Sequence, residues 1–233
     1  MLIYFILSDI HSQYDLLIKA LDKAGFDMEN ENHILVIVGD ILDRGKQGDK
    51  LIRFIEKLIT LDRILAVVGN HDDFLIEILK GNINLKTIKW NIKHNGFIET
   101  LKLGCLDQEE IKINKESILK IKENLVKKYP IFTSWIVKNP LFIIFNKHVI
   151  VHGFLDFSLD NWKKTSRHYA IWERGYDKKV PDSFPKKLII GHTPNYYINK
   201  SNEIIYDGKK IMIDGGAASQ KQINVLRLND EEF

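Results

Sequence analysis

The first third of this chain alternates apolar runs with amphipathic stretches, and this rhythm restricts the folds open to it. Short runs rich in Ile, Leu and Val are typical of buried strands, and apolar residues three or four positions apart are typical of helices. Strand, helix, strand, helix, strand requires a sheet with parallel neighbours and right-handed crossovers. An α/β fold is therefore predicted, with strands at 2–7, 33–38 and 63–68 and helices at 14–25, 48–59 and 72–81.

The last third is rich in predicted strands and leaves little room for crossover helices. Hairpins and a second, mixed sheet are expected there, so that two mixed sheets face each other with helices outside. Residues 82 to 140 break the strand rhythm and include a helical pattern over 115–129, which predicts a helical cap inserted into a single domain of residues 1–233. The later apolar runs lie at 141–145, 148–152, 187–192, 203–206, 210–214 and 223–228.

Composition narrows the class of protein. The chain has 233 residues, of which 45% are hydrophobic and 28% are charged, as in ordinary globular domains. A net charge of +3 is too small to indicate a nucleic-acid partner, and no run of about 18 apolar residues suggests a membrane span. Cys105 is the only cysteine, which excludes an internal disulfide and suits a cytoplasmic location. The oligomeric state is left open.

Asp, Asn or His side chains follow five of the predicted strands. In α/β sheets ligands bind beyond the carboxyl ends of the strands, so these side chains are expected to converge. Carboxylates, amide oxygens and imidazoles suit first-row divalent ions, and their number favours two ions, which together can clamp a phosphate. The residues are Asp9 and His11, Asp40 and Asp43, Asn70 and His71, His152, and His192.

The motifs around these residues resemble those of the calcineurin-like metallophosphoesterases. The closer resemblance is to the phosphoprotein phosphatase branch, with its bacterial and phage serine/threonine phosphatases. The segments "DIHS", "GDILDRG", "GNHD", "VHGF" and "GHTP" carry it, spread over residues 9 to 194. Ser12, Asp72 and Phe154 depart from the family pattern of Gly, Glu and Gly, and none of these changes removes a metal ligand.

The resemblance implies a role for each site residue. Two divalent ions are expected, with Mn²⁺ first and Fe, Zn, Ni or Co as alternatives, and a hydroxide held by them would attack phosphorus directly. Arg174, in the segment "AIWERG", resembles a second phosphate-binding arginine of the phage-type members. The implied metal ligands are Asp9, His11, Asp40, Asn70, His152 and His192; the implied catalytic residues are His71 as proton donor, Asp43 orienting it, and Arg44 and Arg174 on the phosphate.

The sequence leaves three alternatives for the function, two substrate classes and one without catalysis. Phosphoserine and phosphothreonine in proteins come first, other small phosphoesters included, and symmetrical hydrolysis of dinucleoside tetraphosphates is the chemical rival. The third is a catalytically silent binding module on the same fold. Little chain follows "GHTP", so an adenosine pocket is expected to come from residues 82–140 if it exists. The aromatic residues there are Trp90, Phe97, Tyr129, Phe132 and Trp135, whose spacing fits a cap core equally well.

Overall fold

A computed structural model describes residues 1–105, 111–219 and 221–233 of the chain. The strands are β1 (Ile3–Leu7), β2 (His33–Val38), β3 (Ile64–Val67), β4 (Phe142–Ile144), β5 (His148–Val151), β6 (Lys187–Ile190), β7 (Ile205–Asp207), β8 (Lys210–Met212) and β9 (Leu226–Asn229). The helices are α1 (Tyr14–Ala24), α2 (Gly48–Thr60), α3 (Asn70–Lys80), α4 (Leu85–Asn95), α5 (Ile98–Lys102), α6 (Lys115–Lys128), α7 (Pro130–Ile136), α8 (Arg167–Trp172) and α9 (Tyr196–Asn199).

The strands form two mixed sheets, as the sequence predicts. One sheet has the order β3-β2-β1-β9, with β1, β2 and β3 parallel. The other has the order β4-β5-β6-β8-β7, with a parallel centre of β5, β6 and β8 between antiparallel edges. The predicted α/β class with two facing mixed sheets is confirmed.

The last strand differs from its expected place. The sequence predicts a strand at 223–228 within the second sheet, whereas β9 pairs antiparallel with β1 in the first sheet, with Ile6 opposite Leu226. Strand propensity alone does not predict which strand a given strand will pair with. The burial of Leu226 between the sheets favours this position, because an apolar side chain there extends the shared core.

Alternation along the strands divides the core into two layers. In β1, Phe5 and Leu7 face the helices, and Ile6 faces the second sheet, since successive side chains of a strand point to opposite faces. Val36 and Val38 of β2 meet Ile150 of β5 and other second-sheet residues in the inter-sheet layer. This packing fixes the two sheets against each other, so their strand ends are held at defined positions.

Helices α4 to α7 occupy the interval predicted as a cap. Their buried residues Ile88, Leu101, Ile118 and Phe132 belong to the same apolar cluster that covers the helix-facing side of the first sheet. Tyr129 is fully buried and donates its hydroxyl proton to Asp49 of α2 at 2.6 Å. These helices therefore pack on the sandwich itself, and the boundaries of an insertion at about 82–140 stay a prediction.

Candidate active site

The strand-end residues meet around one open cavity of about 440 Å³. It lies beyond the carboxyl ends of strands from both sheets, where the sequence places it. His152 is fully buried beneath the cavity, behind Asn70. The lining residues are Asp9, His11, Asp40, Arg44, Asn70, His71, Asn95, Trp172, Arg174, Tyr176, His192, Thr193, Pro194, Tyr197, Ile198, Asp214, Ala218 and Ser219.

Asp40 is the centre of the cluster. Its two carboxylate oxygens face different imidazoles, Oδ2 at 3.6 Å from His11 Nε2 and Oδ1 at 3.4 Å from His152 Nε2. Asn70 Oδ1 lies 3.1 Å from the same His152 nitrogen. Two groups of donor atoms, each within 4.8 Å of one another, share this carboxylate: His11, Asp40 and His71, and Asp40, His152 and His192. The arrangement provides two adjacent places for a cation.

Three of the histidines are oriented in the same way. Each contacts a backbone carbonyl oxygen through one ring nitrogen, which must carry the proton, so the other nitrogen is left with a free lone pair. Such contacts fix both the tautomer and the ring direction of metal-binding histidines. The contacts are His11 Nδ1 to the Leu42 carbonyl at 3.1 Å, His152 Nδ1 to the Val38 carbonyl at 2.8 Å, and His192 Nε2 to the Trp172 carbonyl at 3.1 Å.

His71 has a different partner. Its Nδ1 lies 2.6 Å from the Asp43 carboxyl group, and its Nε2 points to the cavity, 3.3 Å from the Arg44 guanidinium. Burial, reinforced by Arg44, lowers the pKa of His71 to about 3, and burial raises the pKa of Asp43 to about 8. The site therefore contains a carboxyl–imidazole pair aimed at the cavity beside the candidate metal ligands.

The interval 82–140 contributes to this pair. Thr100 donates its hydroxyl proton to Asp43 Oδ1 and accepts the Asp43 backbone N–H at 3.1 Å. The Gly96 carbonyl accepts the backbone N–H of Arg44 at 3.3 Å. Sequence reasoning missed Thr100 because its partner lies 57 positions away and no local motif marks it.

Buried carboxylates crowd the floor of the cavity. Burial raises the pKa of Asp9, Asp40 and Asp214, and for Asp40 and Asp214 the charge of Asp9 adds to the effect. Sequence reasoning left Asp214 out of the site, although it follows the apolar run of β8 as the other candidates follow theirs. Such a concentration of negative charge away from water requires cations or protons, so the donor set fits divalent ions.

Asp72 has a structural position in the site. It replaces the family's Glu, and both of its oxygens accept backbone N–H groups at 2.9 Å: Oδ2 from Asp40 and Gly69, and Oδ1 from Ile41. Burial raises the pKa of Asp72 to about 6, against the lowering effect of these donors. One carboxylate thus ties the end of β2 to the start of α3.

The backbone around the site is unusual. Asp9, His11, Ser12, Asp40, Asp43, Arg44 and His192 have φ between +47° and +71°. Asp and His tolerate this left-handed region better than most residues, but each such residue still carries a conformational cost. Gly39 makes the bend after β2 possible, because a Cβ there would lie 2.6 Å from both Gly69 Cα and His152 Nδ1.

Cationic and aromatic side chains border the cavity. The Arg174 guanidinium donates to Thr193 Oγ1 at 3.0 Å, which holds it at the rim of the cavity that Arg44 also lines. Trp172, Tyr176 and Tyr197 line the same rim, and Tyr197 is 71% exposed.

The burial of the aromatic residues bears on the two alternatives left open for residues 82–140. An adenosine pocket was expected to come from residues 82–140, yet three of its five aromatic residues, Phe97, Tyr129 and Phe132, are buried in the core. Their spacing is that of a cap core. The aromatic rim comes instead from α8, the turn that follows it, and α9.

Comparison with known proteins agrees with this geometry. The family model described as calcineurin-like phosphoesterase matches residues 4–214. A Bacillus subtilis (strain 168) protein, bis(5'-nucleosyl)-tetraphosphatase PrpE (asymmetrical), is 25% identical over 98% of this chain and 92% of its own length. A symmetrical bis(5'-nucleosyl)-tetraphosphatase of Buchnera aphidicola subsp. Schizaphis graminum is 37% identical over 53% of this chain and 41% of its own length.

The fold is also found among solved structures. A cold-active protein-tyrosine phosphatase of a psychrophilic Shewanella species superposes with a TM-score of 0.60 and 18% identity, over 99% of this chain and 76% of its own. At that identity the likeness concerns the fold alone. Within the described parts of the chain, no helix combines the length and apolarity needed to cross a membrane. The cytoplasmic location expected from sequence stays a prediction.

Replacing Asp72 by Asn is expected to lower the free energy of unfolding by ~2 kcal/mol, because an amide N–H₂ then faces backbone donors that the carboxylate now accepts. Guanidinium chloride denaturation measures the loss. Asp73→Asn is the matched control: its ion pair with Arg167 is partly exposed, and a loss below ~1 kcal/mol is expected. Equal midpoints for Asp72→Asn and the parent protein would contradict this anchoring role.

Proposed function

Because the chain belongs to the calcineurin-like phosphoesterase family, we propose that it hydrolyses phosphoesters and phosphoanhydrides with two divalent metal ions at the Asp40 cluster. The observation that carries the proposal is the Asp40 carboxylate, shared between two groups of donor atoms. Mn²⁺ is the proposed ion, and Fe, Zn, Ni and Co suit the same mixture of carboxylate, amide and imidazole donors.

The proposed ligands modify the two groups: Asp9, which lines the same cavity, takes the place of His71 in the first, and Asn70, beside His152, joins the second. Asp9, His11 and Asp40 would hold one ion, and Asp40, Asn70, His152 and His192 the other. When bound, such ions lower the pKa of water and offset the charge of a phosphate. The three carbonyl contacts of His11, His152 and His192 support this assignment, since they leave one ring nitrogen of each free toward the cluster.

The neighbouring residues have a separate proposed role. His71 contacts a carboxyl group where the three proposed histidine ligands contact carbonyls, and a carboxyl partner suits an imidazole that gains and loses a proton. With the raised pKa of Asp43, a proton remains on the Asp43–Nδ1 hydrogen bond at neutral pH. Nε2 faces the cavity, so a proton gained by the imidazole could pass from this nitrogen to a leaving oxygen. Arg44 and Arg174 would bind the phosphate oxygens.

For the substrate we favour dinucleoside tetraphosphates. The Bacillus subtilis relative that matches along nearly the whole chain carries that activity in its name. The aromatic rim of Trp172, Tyr176 and Tyr197 supports it, because exposed aromatic rings beside a phosphate site can stack on a nucleobase. Two arginines lining one cavity suit a substrate with several phosphates.

Phosphoserine and phosphothreonine in proteins are the second candidate. The observation in its favour is the 2.6 Å contact between His71 and Asp43. A serine or threonine alkoxide is a strongly basic leaving group and depends on a proton donor, whereas a phosphate leaving group depends on one less. The third alternative, a silent binding module, is disfavoured because every proposed ligand is present and converges on the cluster.

Metal removal tests whether the shared Asp40 carboxylate belongs to a metal site. Elemental analysis is expected to find about two divalent ions per chain. Chelation should abolish hydrolysis of p-nitrophenyl phosphate and Mn²⁺ should restore it, except in Asp40→Asn, which loses the shared ligand. Asp15→Asn, at an exposed carboxylate, is the control and should recover fully. Full activity in protein verified to be metal-free would overturn the proposal, and bound metal without hydrolysis of any substrate would favour the binding module.

The role of His71 is tested by leaving-group dependence. His71→Asn is expected to slow phosphoserine-peptide hydrolysis by ~10²–10⁴-fold and p-nitrophenyl phosphate hydrolysis far less, because p-nitrophenolate leaves without a proton. Asn70→Ala is the contrasting variant, since loss of a metal ligand should slow both substrates together. An equal loss on both substrates in His71→Asn, or loss of metal, would reassign His71 to the metal shell.

The choice of substrate is tested at the rim. Tyr197→Ala is expected to raise KM for diadenosine tetraphosphate roughly tenfold through lost base stacking, and to leave p-nitrophenyl phosphate unchanged. Tyr196→Ala is the matched control, since that ring packs with the Lys200 ammonium at 5.5 Å. Faster hydrolysis of a phosphopeptide than of diadenosine tetraphosphate, in kcat/KM, would move the protein to the second candidate.

A further inference from the structure

Lys210 is a buried lysine that is neither a proposed metal ligand nor a proposed catalytic or substrate-binding residue. It begins β8 and is only 5% exposed. Its ammonium donates to three backbone carbonyls of one turn, those of Gly175 at 3.1 Å, Tyr176 at 3.0 Å and Lys178 at 2.6 Å. The Asp207 carboxylate lies 3.0 Å from the same nitrogen. Burying an ammonium is costly unless its donors are satisfied, and these contacts satisfy them.

The turn that Lys210 holds carries two rim residues. Arg174 and Tyr176 both line the cavity, on either side of Gly175. A second ion pair, between Lys178 and Glu173 at 3.3 Å, closes the same turn from outside. The backbone of this segment is therefore fixed by charge at its inner and outer sides.

The turn packs against the core on the side of Gly175, whereas its carbonyls are held by Lys210. Gly175 lies against the Phe154 ring, and a Cβ there would also lie 3.0 Å from Ile190 Cδ1. Phe154 is the residue that replaces the family's second glycine after His152, and it is 2% exposed. The ring fills the space beneath the turn, while Lys210 draws the turn's carbonyls toward β8.

We propose that Lys210 is a positioning residue that sets Arg174 and Tyr176 at the rim by clamping the carbonyls of Gly175, Tyr176 and Lys178. The inference rests on the proposed function in one respect, that Arg174 contacts a phosphate. The clamp has a geometric basis independent of any substrate. Lys210 sits on a strand paired on both sides, by β6 and β7, so its position is that of the sheet. It thus ties the segment that carries Arg174 and Tyr176 to the core.

Hydrogen–deuterium exchange tests the clamp without reference to activity. In Lys210→Met, exchange of the Lys178 amide, which donates to the Gly175 carbonyl at 3.3 Å, is expected to rise roughly tenfold. Lys209→Met is the matched control: the neighbouring ammonium donates to the carbonyls of Asp182 and Phe184, so faster exchange is expected instead at the Phe184 amide, which donates to the Pro181 carbonyl at 3.0 Å. Unchanged exchange of the Lys178 amide in Lys210→Met would overturn the clamp. Lys210→Gln, which keeps a two-donor amide, replaces the Met variant if that variant does not fold, and a smaller rise at the same amide is expected.

A double-mutant cycle tests whether the clamp acts through Arg174. Lys210→Met is expected to lower kcat/KM for p-nitrophenyl phosphate, which has no base to stack on Tyr176, roughly tenfold in the parent protein and less than about twofold in the Arg174→Ala background. A general loss of stability would lower both backgrounds alike. Additive losses would therefore overturn the positioning role and leave the hydrolase proposal standing. A parent protein inactive on every phosphoester would overturn the proposed function, and the exchange experiment then decides on the clamp by itself.

Discussion

Repulsion among buried carboxylates is the interaction around which the site is built. Burial disfavours the charged form of Asp40 and Asp214 and raises the pKa of both. Asp9 lies close enough for its charge to raise these two pKa values further. A fold of marginal stability tolerates such a group only with compensation. Backbone N–H groups supply part of it, as from His71 to Asp40 at 3.0 Å and from His192 to Asp9 at 3.0 Å. The remaining negative charge is what gives the cluster its affinity for cations, so ligand chemistry and folding energetics come from the same atoms.

Backbone strain at the site is a second free-energy cost that the fold must offset. Asp9, Asp40 and His192 leave their strands through left-handed conformations, which turn the side chains across the strand ends instead of along them. Each costs free energy that only the surrounding hydrogen bonds and packing offset. Asp72 supplies several of these hydrogen bonds, because its carboxylate accepts the backbone N–H groups of two adjacent residues after β2 and of Gly69. The sandwich core thus stabilises a conformation that an isolated segment of the same sequence would not adopt.

Local patterns predicted the parts of the molecule that depend on neighbours in sequence. The strand at 33–38 is found with the same bounds, and the residues that follow β1, β2, β3, β5 and β6 do converge. The features that sequence did not predict are contacts between residues far apart along the chain. The partner of β9 is set by a register with β1 more than 200 positions away, and Thr100 meets Asp43 from 57 positions away. The sequence left open whether the aromatic residues of 82–140 form a stacking pocket or a core, because both favour the same residue types, and only burial separates Phe97 from Tyr197.

The contact between Thr100 and Asp43 makes the proton-transfer pair depend on a short helix. Thr100 lies in α5, a five-residue element, whereas the candidate metal ligands lie at the ends of sheet strands. Short helices open more readily than central strands, at a free energy below that of global unfolding. An opening of α5 would release Asp43 and disorient His71 while the Asp40 cluster stayed assembled. If His71 donates the proton as proposed, a local unfolding equilibrium would govern the fraction of molecules able to protonate a leaving group, and warming would reduce that fraction before the sheets lose their structure.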